Sequence, residues 1–403
     1  MRAAHSLVAD PLEFGMGQGP LHGVRVIEFA GIGPAPFCGM LLSDQGADVV
    51  RIDRPEPDPE GATMGPARFN ILGRGRRSVA LDLKRPDAVE ACLALIERAD
   101  ALIEGYRPGV MERLGLGPDI ALARNGRLVY GRLSGWGQTG PLARTVGHDL
   151  NYLAITGALH CIGLPDKPVP PVNVVGDFGG GAMFLAFGVL AALHHARATG
   201  QGQVVDCAVT DAVASLMSSL YAVKAAGRWS DERRSNGLDG GAHNYDTYQC
   251  ADGKWVSVAA IEPKFYAQLL ARTGLSDPGH RALTDRALWP QMRIRLATIF
   301  ADKTQAEWVR IFEGADACVA PILDMNEAPR HPHNQARGTF VDFDGLLQPA
   351  PAPRFSRTPG AIQARAPDIG EHNEEALADW GLSSAMIAAL FERAGETTPE
   401  RKP

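Results

Sequence analysis

The stretch G-V-R-V-I-E-F-A-G-I-G-P, from Gly23 to Pro34, decides the fold. Its apolar part, residues 24–29, predicts a buried β-strand, and the glycines and proline after it predict a tight turn. A helix is expected from about Ala35 to Gln45 and a second strand from Asp48 to Ile52. Strand, turn, helix and strand within this length form a βαβ unit, so the two strands are expected to be parallel neighbours.

The same alternation continues along the chain. Strands are predicted at 78–83, 101–104 and 127–132, and a helix is predicted at 85–98. This pattern is typical of a large, doubly wound, Rossmann-like α/β domain, which we place at residues 19–205. In such sheets ligands bind beyond the carboxyl ends of the strands.

The turn after the first strand resembles a dinucleotide fingerprint only in part. Gly31 and Gly33 have the right spacing, but Pro36 stands where the fingerprint requires Gly or Ala. We therefore interpret it as a tight turn and disfavour a nicotinamide-dependent oxidoreductase.

The remaining chain predicts a second, smaller α/β domain and several connections. A buried helix is expected at 179–199, and 204–223 reads mostly as a helix with a β-branched start that would also suit a short strand. The predicted segments are a disordered leader (1–18), a linker helix and connection (206–243), the small domain (244–326), a return linker (327–360) and a C-terminal tail with a helix (361–403).

Composition excludes some classes of partner. The chain has 403 residues, 45% of them hydrophobic, and a net charge of −6, so no general attraction to nucleic acid or to an anionic membrane is expected. No signal peptide is recognised in residues 1–18, and the apolar segment 182–193 is too short to span a bilayer. Six cysteines lie far apart without a CxxC pair, which favours a reducing compartment and argues against zinc. We predict a soluble cytoplasmic protein.

Cations cluster between residues 51 and 85. The clusters are Arg51 with Arg54, Arg74 with Arg76 and Arg77, and Lys84 with Arg85. They allow two interpretations, a solvated surface or a site for the phosphates of a carrier such as a nucleotide or coenzyme A (CoA), because guanidinium groups bind phosphate bidentately.

Two ionisable residues in the stretch from Gly147 to Gly181 are the strongest candidates for chemistry. His148 stands at the start of a predicted helix, whose dipole favours the neutral imidazole that a base requires. Asp177 follows an apolar run and precedes three glycines, so desolvation is expected to raise its pKa and let it hold a proton. The alternative roles are a structural histidine and an aspartate that caps the next helix.

Two further residues are weaker candidates. Asn173 lies four residues before Asp177, and Glu262 follows a predicted strand at a proline-containing turn. A loop amide and a surface carboxylate are their default interpretations. The pairs His194/His195 and His331/His333 have no ligand spacing to nearby carboxylates, so no metal site is predicted.

Taken together, a series of motifs resembles the α-methylacyl-CoA racemases of the family III CoA-transferase superfamily. They run over residues 19–358: G-A-D-V-V-R-I-D-R-P (46–55), L-I-E-G-Y-R-P-G-V (102–110), S-G-W-G-Q-T-G-P (134–141), G-H-D-L-N-Y (147–152), N-V-V-G-D-F-G-G-G (173–181), D-G-G-A-H-N-Y-D-T-Y (239–248), A-I-E-P-K-F-Y (260–266) and P-A-P-R-F-S-R-T (351–358).

The resemblance implies an isomerase that epimerises the α-carbon of 2-methyl-branched acyl-CoA thioesters without a cofactor, since CoA is part of the substrate. His148 and Asp177 would be the two opposed bases, with Glu262 pairing with the histidine and Asn173 supporting the aspartate. The enolate between them needs N–H donors, which we expect from the backbone of residues 177–180.

By the same resemblance, CoA would contact the ends of several strands, and the protein would be an interlocked homodimer. The CoA-binding positions carried over are Arg54, Leu81, Leu83, Lys84, Gly105, Tyr106, Arg107 and Tyr152.

Two rival functions remain. In a CoA transferase of the same family, Asp177 would be a nucleophile that forms an aspartyl-CoA thioester, and no base would be needed at His148. A non-catalytic acyl-CoA-binding protein would need neither residue.

Overall fold

The computed structural model describes residues 19–56 and 66–391. The predicted leader, 1–18, and the last twelve residues of the predicted tail lie outside the described residues.

The described residues form eleven strands: β1 Arg25–Phe29, β2 Asp48–Asp53, β3 Arg76–Ala80, β4 Ala101–Glu104, β5 Val129–Ser134, β6 Gln203–Ala208, β7 Tyr245–Gln249, β8 Trp255–Ala259, β9 Val319–Ile322, β10 Phe340–Phe343 and β11 Leu346–Pro349.

The α-helices of the described residues are α1 Pro34–Asp44, α2 Pro86–Ile96, α3 Val110–Arg113, α4 Pro118–Arg124, α5 Asp149–Ile155, α6 Ala158–Cys161, α7 Met183–Thr199, α8 Val209–Leu216, α9 Ser218–Ala225, α10 Pro263–Thr273, α11 Trp289–Phe300, α12 Gln305–Phe312, α13 Pro332–Arg337, α14 Asn373–Asp379 and α15 Ser384–Phe391. A π-helical segment, Val175–Ala182, leads directly into α7.

The chain divides into two compact units. The first holds residues up to Asp149, Val174–Ala212 and the chain from Phe340 onward, and the second holds Leu150–Asn173 and Val213–Thr339. These units differ from the predicted domains. Residues 150–173, predicted in the large domain, belong to the second unit, and the chain after Phe340 belongs to the first. Length and local pattern do not reveal such exchanges, since they depend on packing between distant segments.

A six-stranded parallel sheet in the order β3-β2-β1-β4-β5-β6 organises the first unit. The order reverses between β1 and β4, as in doubly wound sheets. The central strands are buried on both faces: Val26 and Ile27 are at most 1% exposed, and α2 and α7 supply buried partners such as Leu95 and Val189. The predicted α/β class is confirmed, and the β-branched start at 204 is the strand β6.

A buried ion pair lies between α1 and the sheet. Arg76 Nε donates to Glu28 Oε2 at 2.9 Å, and both side chains are at most 1% exposed. Gly39 of α1 makes room for the pair, because a Cβ atom there would lie 2.2 Å from Glu28 Oε2. A buried charge of this kind requires a partner, so Glu28 and Arg76 depend on each other.

The C-terminal chain covers the edge of the sheet at β3. His372 N donates to Ser78 O at 2.9 Å, Ala80 N donates to Asn373 Oδ1 at 2.8 Å, and the fully buried Trp380 donates to Asp48 Oδ2 at 2.7 Å. An edge strand left open would present unpaired N–H and C=O groups to other chains. The segment predicted as a tail is thus part of the first unit, and its helix divides into α14 and α15 at Gly381.

The helix predicted from Gly179 begins earlier in the structure. Helical segments follow one another over Val172–Thr199 with a kink at Asn173, and this stretch is long and apolar enough to cross a membrane by length and composition alone. The prediction that the apolar segment is too short therefore does not hold for the full helix. Leu185 and Val189 nevertheless pack against Gly131 of β5, which is the behaviour of a core helix in a folded domain.

The second unit has its own sheet and core. Strands β7, β8 and β9 form an antiparallel sheet with β8 in the centre. Its apolar core includes Val256, Leu296 and Phe300, the last of which packs against the ring of Trp308 at 4.9 Å.

A chain of buried hydrogen bonds crosses this core. Tyr266 Oη donates to Asp277 Oδ2 at 3.1 Å, so at 2.8 Å its oxygen accepts from Nε2–H of the fully buried His243. His243 Nδ1 has no hydrogen-bond partner among the described residues, so a second proton on the ring would find no acceptor. Burial, together with the charge of Arg293, lowers the pKa of His243 to about 4, against the opposing effect of Asp277.

This histidine predicts acid sensitivity of the second unit. Its folded pKa of about 4 lies below the unfolded value of about 6.5, so the unfolded chain takes up the proton first as pH falls. Stability should therefore drop between pH 6.5 and pH 4, by up to about 3 kcal/mol. In urea denaturation, His243→Gln should flatten this dependence, whereas the exposed-site control His194→Gln should not. Equal pH dependence in wild type and His243→Gln would contradict this account.

Candidate active site

Asp177 lies within a helix rather than at the end of a strand. It is the third residue of the π-helical segment Val175–Ala182, and a 3₁₀ turn, Val172–Val174, precedes it. The alternative role of Asp177 as the cap of the helix after it is therefore wrong, since Val174 occupies the N-cap position of this segment. A π-turn widens the helix by one residue and is often found at functional sites.

The residue after His148 joins the two candidate segments. His148 is exposed and immediately precedes α5, while Asp149 is the first residue of that helix. Asp177 N donates to Asp149 Oδ1 at 2.7 Å. The structure thus places the side chain of the residue after His148 against the backbone of Asp177, although Asp149 and Asp177 are 28 positions apart.

The electrostatic setting of Asp177 suits a carboxyl group that exchanges a proton near neutral pH. Burial is the main cause that raises its pKa, to about 6, and the charge of Asp149 adds to it. His148 acts in the opposite direction. Desolvation and a like charge both disfavour the carboxylate, which confirms the direction expected from the sequence.

The first turn of the sheet approaches the same carboxylate. A Cβ atom at Gly33 would lie 3.8 Å from Asp177 Oδ2, and Gly33 has φ 77°. The rings of Phe37 and Phe178 lie 4.6 Å apart and hold the π-helical segment against α1. The sequence predicted this turn only as a connection between elements. Its position beside Asp177 results from the packing of distant segments, which a local sequence pattern does not reveal.

The expected N–H donors for an enolate need one correction. The backbone of residues 177–180 was expected to supply them, but Asp177 N already donates to Asp149. That N–H is therefore engaged with a carboxylate within the protein.

The structure shows which groups the arginines of the basic clusters contact. Most of these arginines are buried in ion pairs: Arg51 with Asp53, Arg74 with Asp44, Arg76 with Glu28, and Arg77 with Asp48 and Asp379. Arg85 pairs with Asp87 at the surface. The buried side chains of Arg51, Arg74 and Arg76 stabilise the fold, so neither interpretation describes these three. Sequence clustering could not show this because the carboxylates come from other elements. Arg54 and Lys84 remain exposed, and the phosphate interpretation stays open for them.

Three of the predicted CoA contacts are exposed cations at strand ends. Arg54 follows β2, Lys84 lies shortly after β3, and Arg107 lies shortly after β4. These strands are close in the order of the sheet, so their carboxyl ends lie along one edge. Among the other positions, Leu81 is 3% exposed and packs in the core, and Leu83 is partly buried against it.

The predicted loop Gly105-Tyr106-Arg107 has a buried support. Glu104 is fully buried, accepts from Tyr106 N at 2.7 Å and from Arg132 Nε at 2.8 Å, and Arg132 also pairs with Glu112. Burial raises the pKa of Tyr106 to about 12, with Arg54 opposing, so the phenol stays neutral beside that cation. Sequence reasoning missed Glu104 and Arg132. Glu104 and Arg132 are register partners on the neighbouring strands β4 and β5, so an alignment of the two predicted strands would have placed them side by side.

The remaining predicted residues belong to the second unit. Asn173 is exposed, and Tyr152 of α5 is partly buried. Glu262 occupies the position before α10, where its backbone carbonyl accepts from Phe265 N at 3.0 Å. The pairing of Glu262 with His148 and of Asn173 with Asp177 therefore stays a prediction. Among the described residues no group of three or more His, Cys, Asp or Glu side chains is placed to hold a metal ion.

Known proteins share this sequence and fold. The sequence model of CoA-transferase family III matches residues 21–373. The mouse protein named alpha-methylacyl-CoA racemase is 46% identical over 373 residues, covering 92% of this chain and 96% of its own length. A succinyl-CoA–L-malate CoA-transferase beta subunit from Chloroflexus aurantiacus is 31% identical, covering 89% of this chain and 93% of its own.

A solved structure agrees with these matches. The crystal structure of a CaiB/BaiF family protein from Brucella suis has a TM-score of 0.77 at 25% identity and covers 90% of this chain and 100% of its own. The family model covers the parallel sheet, the Asp149–Asp177 contact and the whole of the second unit. The chain therefore belongs to CoA-transferase family III.

Proposed function

We propose that the protein is an isomerase that inverts the α-carbon of 2-methyl-branched acyl-CoA thioesters. The observation that carries the proposal is the joining of His148 and Asp177 through Asp149, with the pKa of Asp177 raised to about 6. A two-base reaction needs one group protonated while the other is not, and such a pKa allows this near neutral pH. The 46% identity to the mouse racemase supports the same activity.

The proposed reaction moves one proton off and one proton on. One base takes the α-proton, and its electron pair moves into the thioester carbonyl to give an enolate. The other group, holding a proton, delivers it to the opposite face of the α-carbon. The carbonyl re-forms, the configuration is inverted, and each base has exchanged its protonation state with the other.

The carrier is proposed to bind along the edge where β2, β3 and β4 end. Exposed cations at Arg54, Lys84 and Arg107 are supports for its phosphates. No cofactor is needed in this proposal, because CoA is part of the substrate.

A CoA transferase remains the alternative. In that reaction Asp177 attacks the thioester carbonyl, expels CoA as its thiolate and forms a mixed anhydride. The CoA thiolate then attacks the aspartyl carbonyl, releases the donor acid as a carboxylate and leaves an aspartyl thioester. The identity to the Chloroflexus transferase keeps this alternative in place. His148 favours the isomerase, because the transferase sequence of steps needs no base there.

An interlocked homodimer and a cytoplasmic location are also proposed. Helix α7 presents Met183, Phe187 and Leu190 at i, i+4 and i+7, with exposed fractions of 48%, 72% and 42%. A stripe of large apolar side chains in water favours a protein partner, and the family resemblance makes that partner a second copy.

The six cysteines are free thiols, which is typical of a reducing compartment.

The reaction is tested with one epimer of a 2-methylacyl-CoA in D2O, without an acceptor acid. Wild type should incorporate α-deuterium and epimerise the substrate, while His148→Ala and Asp177→Asn should each lose at least about 100-fold in rate. The matched controls His194→Ala and Asp119→Asn change exposed residues and should retain full exchange. If wild type shows no exchange but moves CoA to an added carboxylic acid, the isomerase proposal is wrong.

Loss of activity in Asp177→Asn should not reflect unfolding. Because the folded pKa of about 6 lies above the unfolded value of 3.8, the ionised carboxylate costs stability at high pH. The variant should therefore be more stable than wild type at pH 8, by about 1–2 kcal/mol in urea denaturation, with no gain near pH 4. A destabilised variant at pH 8 would contradict the cost assigned to the buried charge.

The support beneath the CoA loop gives a separate prediction. Glu104→Gln removes the charge that pairs with Arg132 and weakens the acceptor for Tyr106 N, so the loop should lose its fixed geometry. KM for the acyl-CoA should rise about tenfold while kcat stays near wild type. Glu90→Gln, at an exposed ion pair, is the control. An unchanged KM would show that this loop does not hold the carrier.

The homodimer is tested by molar mass in solution. Wild type should have twice the mass of the 43.0 kDa chain, and Phe187→Glu should shift the mass toward one chain at low concentration. Ile294→Glu, also at an exposed apolar position, is the matched control and should remain a dimer. A wild-type monomer would contradict the proposal.

A further inference from the structure

We propose that Asp149 is a positioning residue of this site: its carboxylate fixes the backbone at Asp177 and, by its charge, keeps a proton on the Asp177 carboxyl. The inference rests on the proposed function. It assigns to the Asp149 side chain a role distinct from the two groups that exchange protons with the substrate.

The geometric part of the proposal is the 2.7 Å hydrogen bond from Asp177 N to Asp149 Oδ1. Asp177 lies in the first turn of its helical segment, where backbone N–H groups lack acceptors within the helix. A carboxylate is a strong acceptor for such a group, and the bond is charge-assisted. Because Asp149 directly follows His148, one side chain sets the spacing between the two candidate bases.

The electrostatic part depends on which charges face Asp177. Asp149 is a like charge that disfavours ionisation of Asp177, and His148 opposes it. The elements packed against the π-helical segment include α1, β5 and α7, and Gly181 also contacts Cys207 of β6 and Val209 of α8. Their titratable groups are Cys38 and Asp44 on α1, Tyr130 and Arg132 on β5, His194, His195 and Arg197 on α7, Asp206 and Cys207 on β6, and Asp211 on α8.

Several of these other groups are paired with other residues or lie far along the chain from the π-helical segment. Asp44 is paired with Arg74, and Arg132 is paired with Glu104 and Glu112. The α7 groups belong to the last turns of the helix, more than ten residues beyond Ala182. Asp149 and His148 are the charges that act on the protonation of Asp177 among the described residues.

A purely structural role for Asp149 makes a different prediction. An acidic residue in the first turn of α5 also stabilises that helix through its dipole. Asn and Ser in place of Asp149 still offer an oxygen to Asp177 N, so they keep an acceptor for that N–H. The lost charge–dipole interaction would lower the stability of α5 without moving the pH profile of the reaction. Both remove the charge, which separates the two roles.

The experiment measures kcat/KM for α-deuterium exchange against pH. With the epimer whose α-proton Asp177 removes, the acid limb of the profile reports the ionisation of Asp177. In Asp149→Asn this limb should move to lower pH by about one pH unit, because Asp177 then loses its proton more readily. Asp149→Ser should show the same displacement, which covers the case that one variant fails to fold. Asp149→Ala, lacking the acceptor, should also lose about tenfold in kcat with KM little changed.

Asp206→Asn is the matched control. Asp206 also accepts a backbone N–H, from Gln138 at 3.2 Å, but it is absent from the charges that act on Asp177. Its profile should superpose on that of wild type. If wild type exchanges the α-proton but the Asn and Ser variants keep its acid limb, the role of Asp149 is overturned while the proposed function stands. If wild type shows no exchange, the proposed function itself fails.

Discussion

The hydrogen bond from Asp177 N to Asp149 is the contact on which the site depends. It ties the loop that carries His148 to the helix that carries Asp177, and it places a carboxylate beside a partly buried carboxyl group. The same contact therefore fixes the loop relative to the helix and favours the protonated form of the Asp177 carboxyl group. Two carboxyl groups in one place cannot both ionise freely, so the proton is retained on the more buried of them.

Charge has two separate uses in the first unit. In the interior, Glu28–Arg76 and Asp44–Arg74 are buried ion pairs, and Gly39 makes room for the first of them. At the strand ends, Arg54, Lys84 and Arg107 remain exposed. Glu104 connects the two, since it pairs with Arg132 inside and fixes the backbone of Tyr106 outside. A rigid interior thus orients a loop that is open to solvent, which is how preorganised ligand sites are built.

Much of the first unit follows from local sequence. Val24–Phe29 and Asp48–Ile52 predict strands because their apolar, β-branched residues suit a sheet buried on both faces, and Gly31, Gly33 and Pro34 predict the turn between them. The helix was predicted only from residue 179, because valine and glycine in the run N-V-V-G-D-F are weak helix formers. The structure is already helical there, where the segment packs against α1. The basic clusters misled because their acidic partners lie in distant segments, and the division of 150–173 from its neighbours depends on tertiary packing.

The most direct test of the account is the protonation of Asp177 itself. Infrared difference spectra between wild type and Asp177→Asn, recorded from pH 4 to pH 8, isolate the carboxyl stretch of this residue. The account predicts that the protonated carboxyl signal disappears with a midpoint near pH 6. A midpoint near the ordinary aspartate value of 3.8 would contradict it, because Asp177 would then be a permanent carboxylate with no proton to deliver.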